Sequence, residues 1–319
     1  MRQSYRPNAA DGNRETFMMF APWTLGRRLA VLVFVLLAGW LVPDLPAQEA
    51  LRWKFSAGQT LRVSFRQTAS TETAGAGART TIAIVMGMEM TWRVEDVIAD
   101  GTATMTQSFD RLTMSMKTGD IASVDYDSAA EPITAPAKEI AAAVGPLIGP
   151  KFHLTMNSRG EILDVKLPAA AQEAVAANTR EGLKSFFSAE GISRVLRQSV
   201  VVFPEQPLVA GAEWKSTSDV ASPLGTLKQI SVYTYVGGSD RDGRMLEQIK
   251  VDSTLQIDPD AARAKTTIKS QSQTGELWFD RDLGRLVDSQ ILQKLTTVRP
   301  YRDTKIEVRS TSKLTMSIE

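Results

Sequence analysis

The chain contains no cysteine and only one histidine, His153. Without cysteine there can be no disulfide, no thiol nucleophile, no thiolate metal site and no lipid-modified cysteine. With a single histidine, the usual zinc site made of His and Cys is excluded, and a Ser-His-Asp triad could form only around His153. No G-x-S-x-G elbow accompanies that residue. We therefore predict no catalytic residues, no metal and no cofactor, and we expect that the protein is not an enzyme.

The chain also lacks an excess of either charge, since 37 Lys and Arg oppose 36 Asp and Glu. Residues 1–47 hold five Arg and three acids, so the remainder has 32 basic and 33 acidic residues, a net charge of −1. Nucleic-acid binding depends on an excess of Lys and Arg. We therefore expect no nucleic-acid partner.

Long hydrophobic runs are scarce, and the clearest one lies near the N-terminus. Arg27 and Arg28 precede the 14-residue apolar stretch 29–42, and the small residue Ala47 comes before the polar Gln48. This pattern is typical of a secretory signal peptide cleaved after Ala47. The stretch is shorter than the ~20 apolar residues that cross a bilayer. We predict an extracytoplasmic protein, periplasmic or secreted, and the alternative is an inner-membrane anchor formed by residues 29–42.

What the sequence has in abundance is strict alternation of apolar and polar residues. From Ile82 to Val94 every second residue is apolar, a period that a helix cannot produce. Asp100-Gly101 then supplies turn residues. The apolar phase of the return strand slips near Asp110-Arg111, which predicts a β-bulge. A second hairpin is predicted around the turn 157–160.

The last strand shows the same alternation of apolar and polar residues. Earlier in the chain, two Ala-rich segments separate the alternating segments. Between residues 306 and 318 five of the seven even positions carry large apolar side chains, namely Ile306, Val308, Leu314, Met316 and Ile318, while charged residues occupy odd positions. Such a strand is stable only inside a sheet with one wet face. Residues 137–144 and 169–177 are Ala-rich and have helical spacing.

These patterns predict a β-rich α+β fold. We expect long antiparallel strands in one curved sheet or two related sheets, with a central helical segment packed on one face. The expected order is a leader over residues 1–47, an N-terminal β-rich half over 48–168, a helical segment over 169–207 and a C-terminal β-rich half over 208–319.

Methionine is the one unusual component, because six of the 12 methionines lie within 31 residues. One interpretation is a thioether site for Cu(I). Residues two apart on a strand are ~6.6–6.8 Å apart, so three in a row do not readily converge on one ion. The simplest interpretation is a core filled by flexible side chains, and the third is a groove for an apolar ligand. The candidate ligand-lining residues are Met86, Met88, Met90, Met105, Met114 and Met116.

Other motifs have simpler structural explanations. Residues 240–243 and 280–284 resemble calcium loops only faintly, because neither has the third acid and the distal Glu at the required spacing. Both lie between strands, where Asp and Gly are ordinary turn residues. His153 lies on the polar phase of a strand, which favours an exposed structural residue. Its replacement is expected to leave folding unchanged.

Several different strand and turn motifs are distributed along most of the chain after residue 50. They are Leu51–Phe55 with Gly58 and Leu61, Met88–Trp92, Asp100–Ala103, Met156–Glu161, Phe203-Pro204 with Gly211 and Trp214, and Gly284–Leu286. Together they resemble a domain-of-unknown-function family of exported proteins found mainly in planctomycete-type bacteria. The resemblance implies export and a β-rich architecture, and it implies no activity.

The function that these patterns favour is an exported, non-enzymatic binding or carrier module of the cell envelope for an apolar small molecule or an envelope component. The alternative is a structural or protein-interaction component with a fully packed core. A more distant alternative is a hydrolase that acts through paired carboxylates. A large apolar cavity would favour the first, and a solid core with an exposed edge or patch the second.

Overall fold

The alternating segments form twelve strands in a computed structural model. The structure describes residues 49–75, 77–121, 123–169, 171–173, 193, 197, 200–222, 225–257, 266–302 and 304–319. The predicted leader lies outside these residues. No helix in the described ranges is long and apolar enough to cross a membrane. The strands are β1 (Thr60–Gly75), β2 (Ala78–Val97), β3 (Ala103–Thr118), β4 (Val124–Asp127), β5 (Lys151–Met156), β6 (Ile162–Lys166), β7 (Glu213–Ser222), β8 (Gly225–Arg241), β9 (Arg244–Ile257), β10 (Thr267–Asp280), β11 (Arg285–Tyr301) and β12 (Thr304–Ile318).

All strands belong to one sheet, so of the two predicted arrangements the single sheet is the observed one. Its order is β6-β5-β3-β2-β1-β12-β11-β10-β9-β8-β7, with β4 paired beside β5 on the same edge of β3. Every strand pair is antiparallel. The first and last of the described strands, β1 and β12, therefore meet in the middle of the sheet. Within the described residues, β6 and β7 are its two edges.

The sheet is strongly curved at one end, as two backbone hydrogen bonds demonstrate. Trp53 N donates to Ser158 O in the β5–β6 turn (2.7 Å), and Lys54 N donates to Gly284 O in the β10–β11 turn (2.8 Å). In a flat sheet, the spacings from β5 to β11 would separate these turns by about 24 Å. Two consecutive residues can bridge them only because the sheet bends around the N-terminal segment. The predicted curved sheet is thus confirmed.

A short helical segment packs on one face of this sheet. Helix α1 (Lys138–Val144) lies between single turns of 3-10 helix at Ala135–Ala137 and Gly145–Leu147. Ala137, Val144 and Leu147 are buried in the same hydrophobic cluster as the strands. The helix predicted over 137–144 is therefore confirmed to within one residue.

The second predicted helical segment, 169–207, falls mainly outside the described residues. Helix is present at 169, 171–173, 193 and 197, whereas residues 200–207 contain none. Pro204 and Pro207 interrupt helical hydrogen bonding there. Residues 200–208, here called the strap, precede β7 in the chain.

The strap closes the core at the curved end of the sheet. Trp53 Nε1 donates to Val201 O (3.1 Å), and Arg52 donates to the carbonyl oxygens of Pro204 and Glu205 at 2.8 and 2.7 Å. Phe203 is fully buried, with its ring 4.8 Å from that of Phe279. The main core is concentrated at this end, because the buried residues of β1, β2, β10 and β12 cluster there.

The β-bulge and the second hairpin predicted for the N-terminal half are both present. Glu89 pairs with Arg111 and Met90 with Phe109, so Asp110 is the extra residue of a bulge. The carboxylate of Asp110 accepts hydrogen bonds from Thr91 (2.6 Å) and Ser108 (2.8 Å), which fixes the bulge. The predicted hairpin around 157–160 is the β5–β6 connection.

Candidate ligand-facing surface on the sheet

The alternation sorts the side chains of the sheet by charge. We call the face that carries the core the inner face. On β12 the even positions lie on it, with Met316 and Ile318 buried, while Lys305, Arg309 and Lys313 lie on the outer face. This is the predicted orientation of the last strand.

The inner face is uncharged over most of its length. Glu247 and Arg281 form an ion pair at the core end (2.6 Å), and Arg299 lies at the opposite rim. Between these two points, the strand register places no Asp, Glu, Lys, Arg or His on the inner positions of the described parts of β1–β3 and β7–β12. The surface is therefore suited to uncharged contacts.

The six candidate methionines all lie on this face but in two environments. Met86, Met88, Met90 and Met105 are buried in the core cluster. Met114 and Met116 are half-buried, and Met114 packs against the core. The structure therefore packs four of them as core residues and leaves two at its boundary.

The two boundary methionines belong to a larger apolar surface beyond the core. Met114 pairs with Tyr126 of β4, and Met116 pairs with Ile84 of β2 and Val124 of β4. Tyr126 is buried, whereas Ile84, Met114, Met116 and Val124 are only half-buried. We call this surface the apolar strip; its members are Ile82, Ile84, Met114, Met116 and Val124.

One polar residue is buried among the core methionines. Gln107, which is 1% exposed, donates from Nε2 to Met90 Sδ (3.2 Å). Its Oε1 and the Nε1 of its cross-strand partner Trp92 have no hydrogen-bond partner. Burial of polar atoms without hydrogen bonds costs free energy. Atoms of this kind are the partners that a buried water molecule requires.

A row of uncharged polar residues crosses the inner face above the core. Ser312, Gln293, Gln273, Ser253 and Ser231 are successive cross-strand partners on β12, β11, β10, β9 and β8. Three hydrogen bonds link neighbours: Gln67 Nε2 to Ser312 Oγ (3.1 Å), Gln293 Nε2 to Gln273 Oε1 (3.1 Å), and Ser231 with Ser253 (2.8 Å). We call these six residues, including Gln67, the polar row.

The polar row was not predicted from the sequence, although a signal for it is present. In β12 the apolar phase runs through Ile306 and Val308 and resumes at Leu314, but Ser310 and Ser312 interrupt it. A polar residue in the apolar phase of one strand is common and uninformative. It becomes a feature only when the register aligns it with similar residues on neighbouring strands.

Beside the polar row, β9 and β10 part. Their pairing ends at Gln273 and Ser253, although β9 continues to Ile257. The side chain of Gln271 bonds both backbone groups of Leu255 instead, at 2.6 and 2.9 Å. The sheet therefore has a local opening at its far end.

A charged network lies at the opposite, core end. Tyr235 donates to Glu247, and Arg281 binds Glu247 and also the backbone oxygen of Glu49 (2.6 Å). Burial and the adjacent Glu247 raise the pKa of Tyr235. Burial acts to lower the pKa of Arg281, but its bonds to Glu247 and Tyr235 outweigh this and raise it. The network is internally paired and holds the N-terminal segment to the sheet.

The remaining candidates occupy the turn or surface positions that the sequence favours. His153 is exposed on β5. Asp280 accepts from the backbone of Asp282 (3.0 Å) and Leu283 (2.8 Å), as a turn residue does. In the described residues, no group of three or more His, Cys, Asp or Glu is placed to hold a metal ion.

Two grooves lie on the outer face. One of about 490 Å³ crosses β8–β11 and is lined by Lys250, Glu276 and Gln290, among others. The other, of about 360 Å³, crosses β12–β3 past Arg62 and Asp110. Both are open and contain charged side chains, unlike the middle part of the inner face.

Comparisons with known proteins give one family and several distant structural likenesses. No curated protein matches the chain in sequence. A lipovitellin structure described by its lipid–protein interactions has a TM-score of 0.46 and 13% identity, covers 83% of this chain, and is itself matched over only 26% of its length. A DUF1329 family protein from Desulfovibrio piger has a TM-score of 0.13 and 11% identity, with 77% of this chain and 83% of that one covered. An outer membrane channel, COG4313, from Pseudomonas putida has a TM-score of 0.22 and 6% identity, with 87% and 100% covered.

These structural likenesses are low in both identity and TM-score and support no functional conclusion. The family match is broader in its coverage. The family of unknown function DUF6263 matches residues 100–284, more than half of the chain. It agrees with the expected resemblance to a domain-of-unknown-function family, whereas planctomycete origin and export remain expectations. The chain belongs to the DUF6263 family.

Proposed function

We propose that this protein is an exported, non-enzymatic binding or carrier module that takes up an apolar ligand on the inner face of its sheet. The observation that carries the proposal is the apolar strip. Its side chains, such as Ile84 and Met116, are only half-buried and lie on the part of the inner face where the described strands carry no charged residue. The free energy of the system falls when a ligand covers an apolar surface next to a packed core, because apolar area is removed from water.

The physical basis is the burial of apolar area, which stabilises by roughly 25 cal/mol per Å². The two half-buried methionines suit such a surface because an unbranched thioether side chain adapts to ligands of different shape. The same uncharged surface excludes partners that need ionic contacts. A predominantly apolar molecule therefore fits this face better than a charged one.

The test is binding of decylpyrene, a fluorescent hydrocarbon, to the purified protein. Ile84→Glu introduces a charge into the apolar strip, and Ala83→Glu introduces the same charge at the neighbouring exposed position on the outer face. We expect micromolar binding by the wild type, at least tenfold weaker binding by Ile84→Glu, and no change in Ala83→Glu. Circular dichroism melts establish that both variants are folded.

Absence of decylpyrene binding by the folded wild type would favour the second candidate, a structural or protein-interaction component. Its supporting observation is that Met86, Met88, Met90 and Met105 are core residues rather than groove residues. Under that alternative, the inner face would be covered within the native assembly, and neither Glu variant would alter a binding signal.

The absence of catalysis is part of the proposal. His153 lies exposed on β5, and the carboxylate of Glu247 is paired with Arg281 and Tyr235. We expect His153→Gln to leave folding and any activity nearly unchanged. A loss of activity of tenfold or more, with the melting temperature intact, would make His153 a functional residue.

Export is part of the proposal, and the contacts of the first described residues are compatible with it. Cleavage after Ala47 would leave Gln48 at the N-terminus, one residue before Glu49, whose carbonyl binds Arg281. Leu51 and Trp53 are buried. A leader that ends at Ala47 could therefore be removed without loss of any of these contacts.

A further inference from the structure

We propose that the polar row makes the inner face selective for amphipathic ligands whose polar part is uncharged, such as an amide or an alcohol. This inference rests on the proposed function and specifies its ligand class. The juxtaposition that carries it is the polar row, with apolar side chains on its core side, on the middle part of the inner face, where the described strands carry no charged residue.

The row on the core side of the polar row is largely apolar, and the row on the far side is mixed. On the core side lie Leu314, Ile291 and Val251, whereas on the far side Leu295 and Leu255 alternate with Ser310, Gln271 and Gln229. Successive rows on one face are ~6.6–6.8 Å apart. A molecule with a short polar group next to an apolar portion matches this arrangement, whereas a hydrocarbon would offer no partner to the remaining donors and acceptors of Gln273 and Gln293.

The polar row also has unused hydrogen-bonding capacity. A glutamine amide has two N–H donors and an oxygen with two lone pairs. The bond between Gln293 and Gln273 uses one donor of the first and one lone pair of the second. Both side chains are half-buried, so their remaining groups can reach a ligand. Since amides both donate and accept, they complement another amide or a hydroxyl.

A charged head group would be disfavoured at the same place. An ionised carboxylate loses its hydration on binding and needs a cation or several strong donors in exchange. Arg281, at the core end, is already bound to Glu247, and Arg299 lies at the far rim, beyond Thr297. Among the residues that the structure describes, the strand register therefore places no cation at the polar row to compensate for a carboxylate.

The experiment compares three probes with the same pyrene-labelled ten-carbon chain. They are the primary amide, the carboxylate and the hydrocarbon decylpyrene, each titrated into the full-length wild type at pH 7.5. We expect the amide to bind at least tenfold more tightly than the carboxylate and at least threefold more tightly than decylpyrene.

The variant that removes the central pair is Gln273→Met/Gln293→Met, which keeps side-chain length and deletes both amides together. Its control is Gln256→Met/Gln290→Met on the outer face of β9 and β11. We expect the first variant to bind the amide no better than decylpyrene, and the control to behave as the wild type. If the first variant does not fold, Ser312→Ala serves in its place, with a smaller loss of preference.

The outcomes separate this inference from the proposed function. Equal binding of all three probes by the wild type would overturn the selectivity and leave the apolar site intact. Tighter binding of the carboxylate would also overturn the selectivity. No binding of any probe would overturn both proposals, as expected if another part of the protein covers the inner face.

Discussion

The side chain of Gln271 makes the two hydrogen bonds to the backbone of Leu255 that a neighbouring strand would otherwise make. Its Oε1 accepts from Leu255 N (2.6 Å), and its Nε2 donates to Leu255 O (2.9 Å), beyond the point where β9 and β10 cease to pair. One side chain thus satisfies both backbone groups of a residue at a sheet opening. This contact is essential locally because Leu255 is itself buried.

We predict that Gln271→Met accelerates hydrogen exchange of the Leu255 amide at least tenfold. A buried N–H that loses its acceptor costs about 1–3 kcal/mol, and β9 would fray from that point. Amide exchange followed by NMR is the measurement, with Ser272→Ala on the same strand as the control. Unchanged protection of Leu255 would mean that another acceptor holds its amide.

The buried methionines should respond to truncation as core residues do. Met88→Ala is expected to destabilise by about 2–5 kcal/mol, through lost burial and a residual cavity. Met116→Ala, at a half-buried position, should cost clearly less. Urea denaturation gives both values. Equal costs would contradict the division of this face into a core and a boundary.

Replacement of methionine by leucine should distinguish Met88 from Met90. Met88→Leu conserves hydrophobicity and nearly conserves volume, so it should cost less than about 1.5 kcal/mol. Met90→Leu also removes the sulfur that accepts from Gln107 Nε2, and should cost about 1 kcal/mol more because that amide is buried. A severe effect at both positions would instead support the copper interpretation.

The strap should be sensitive to substitution of Gly160. Its φ is +99°, and an added Cβ would meet Val201 O and lie 2.6 Å from Trp53 Nε1. Gly211 has a similar φ of +86° but open space around the Cβ position. Gly211→Ala should therefore cost only the backbone strain of about 1–2 kcal/mol, and Gly160→Ala at least 2 kcal/mol more. Thermal unfolding of both variants tests this, and similar melting temperatures would argue against a close approach of the strap.

The junction of β3 and β4 should weaken in acid. Arg111 binds Asp127 with bonds of 3.0 and 2.6 Å, and together with the amide of Ala129 it lowers the pKa of Asp127 from 3.8 to about 2. Because the pKa is depressed in the folded state, the stabilisation is fully present above about pH 4 to 5. It is lost as the pH falls through 3.8 towards 2.

The difference in unfolding free energy between the wild type and Asp127→Asn should therefore be constant from about pH 5 to 7. It should shrink as the pH falls towards about 2, as linkage requires. Glu89→Gln is the control, because Glu89 lies 3.7 Å from the same arginine and is 61% exposed. A pH-independent difference for Asp127→Asn would mean that Arg111 does not hold the carboxylate in solution.

Export predicts the mass of the mature protein. Protein purified from its native host should begin at Gln48, as measured by intact mass spectrometry. A mature form that retains residues 29–42 would show an anchor in place of a signal peptide.

Local patterns in the sequence determined much of the secondary structure. Alternation placed Ile82 to Val94 on a strand because successive side chains of a strand point to opposite faces. The phase slip at Asp110 located a bulge, since an inserted residue must reverse the alternation. The helix at 138–144 followed from its composition and spacing. The buried position of most candidate methionines agreed with the simplest interpretation.

The tertiary structure decided what these elements form together. No local signal pairs β1 with β12, or draws Val201 onto Trp53 across 148 residues. The polar row depends on the register of neighbouring strands, and Gln67 meets Ser312 only because β1 pairs with β12. Side-chain period is a property of a few adjacent residues, whereas register and curvature arise from packing among residues distant in the chain. The strand pattern could therefore be read locally, and the surface that we propose for ligand binding could not.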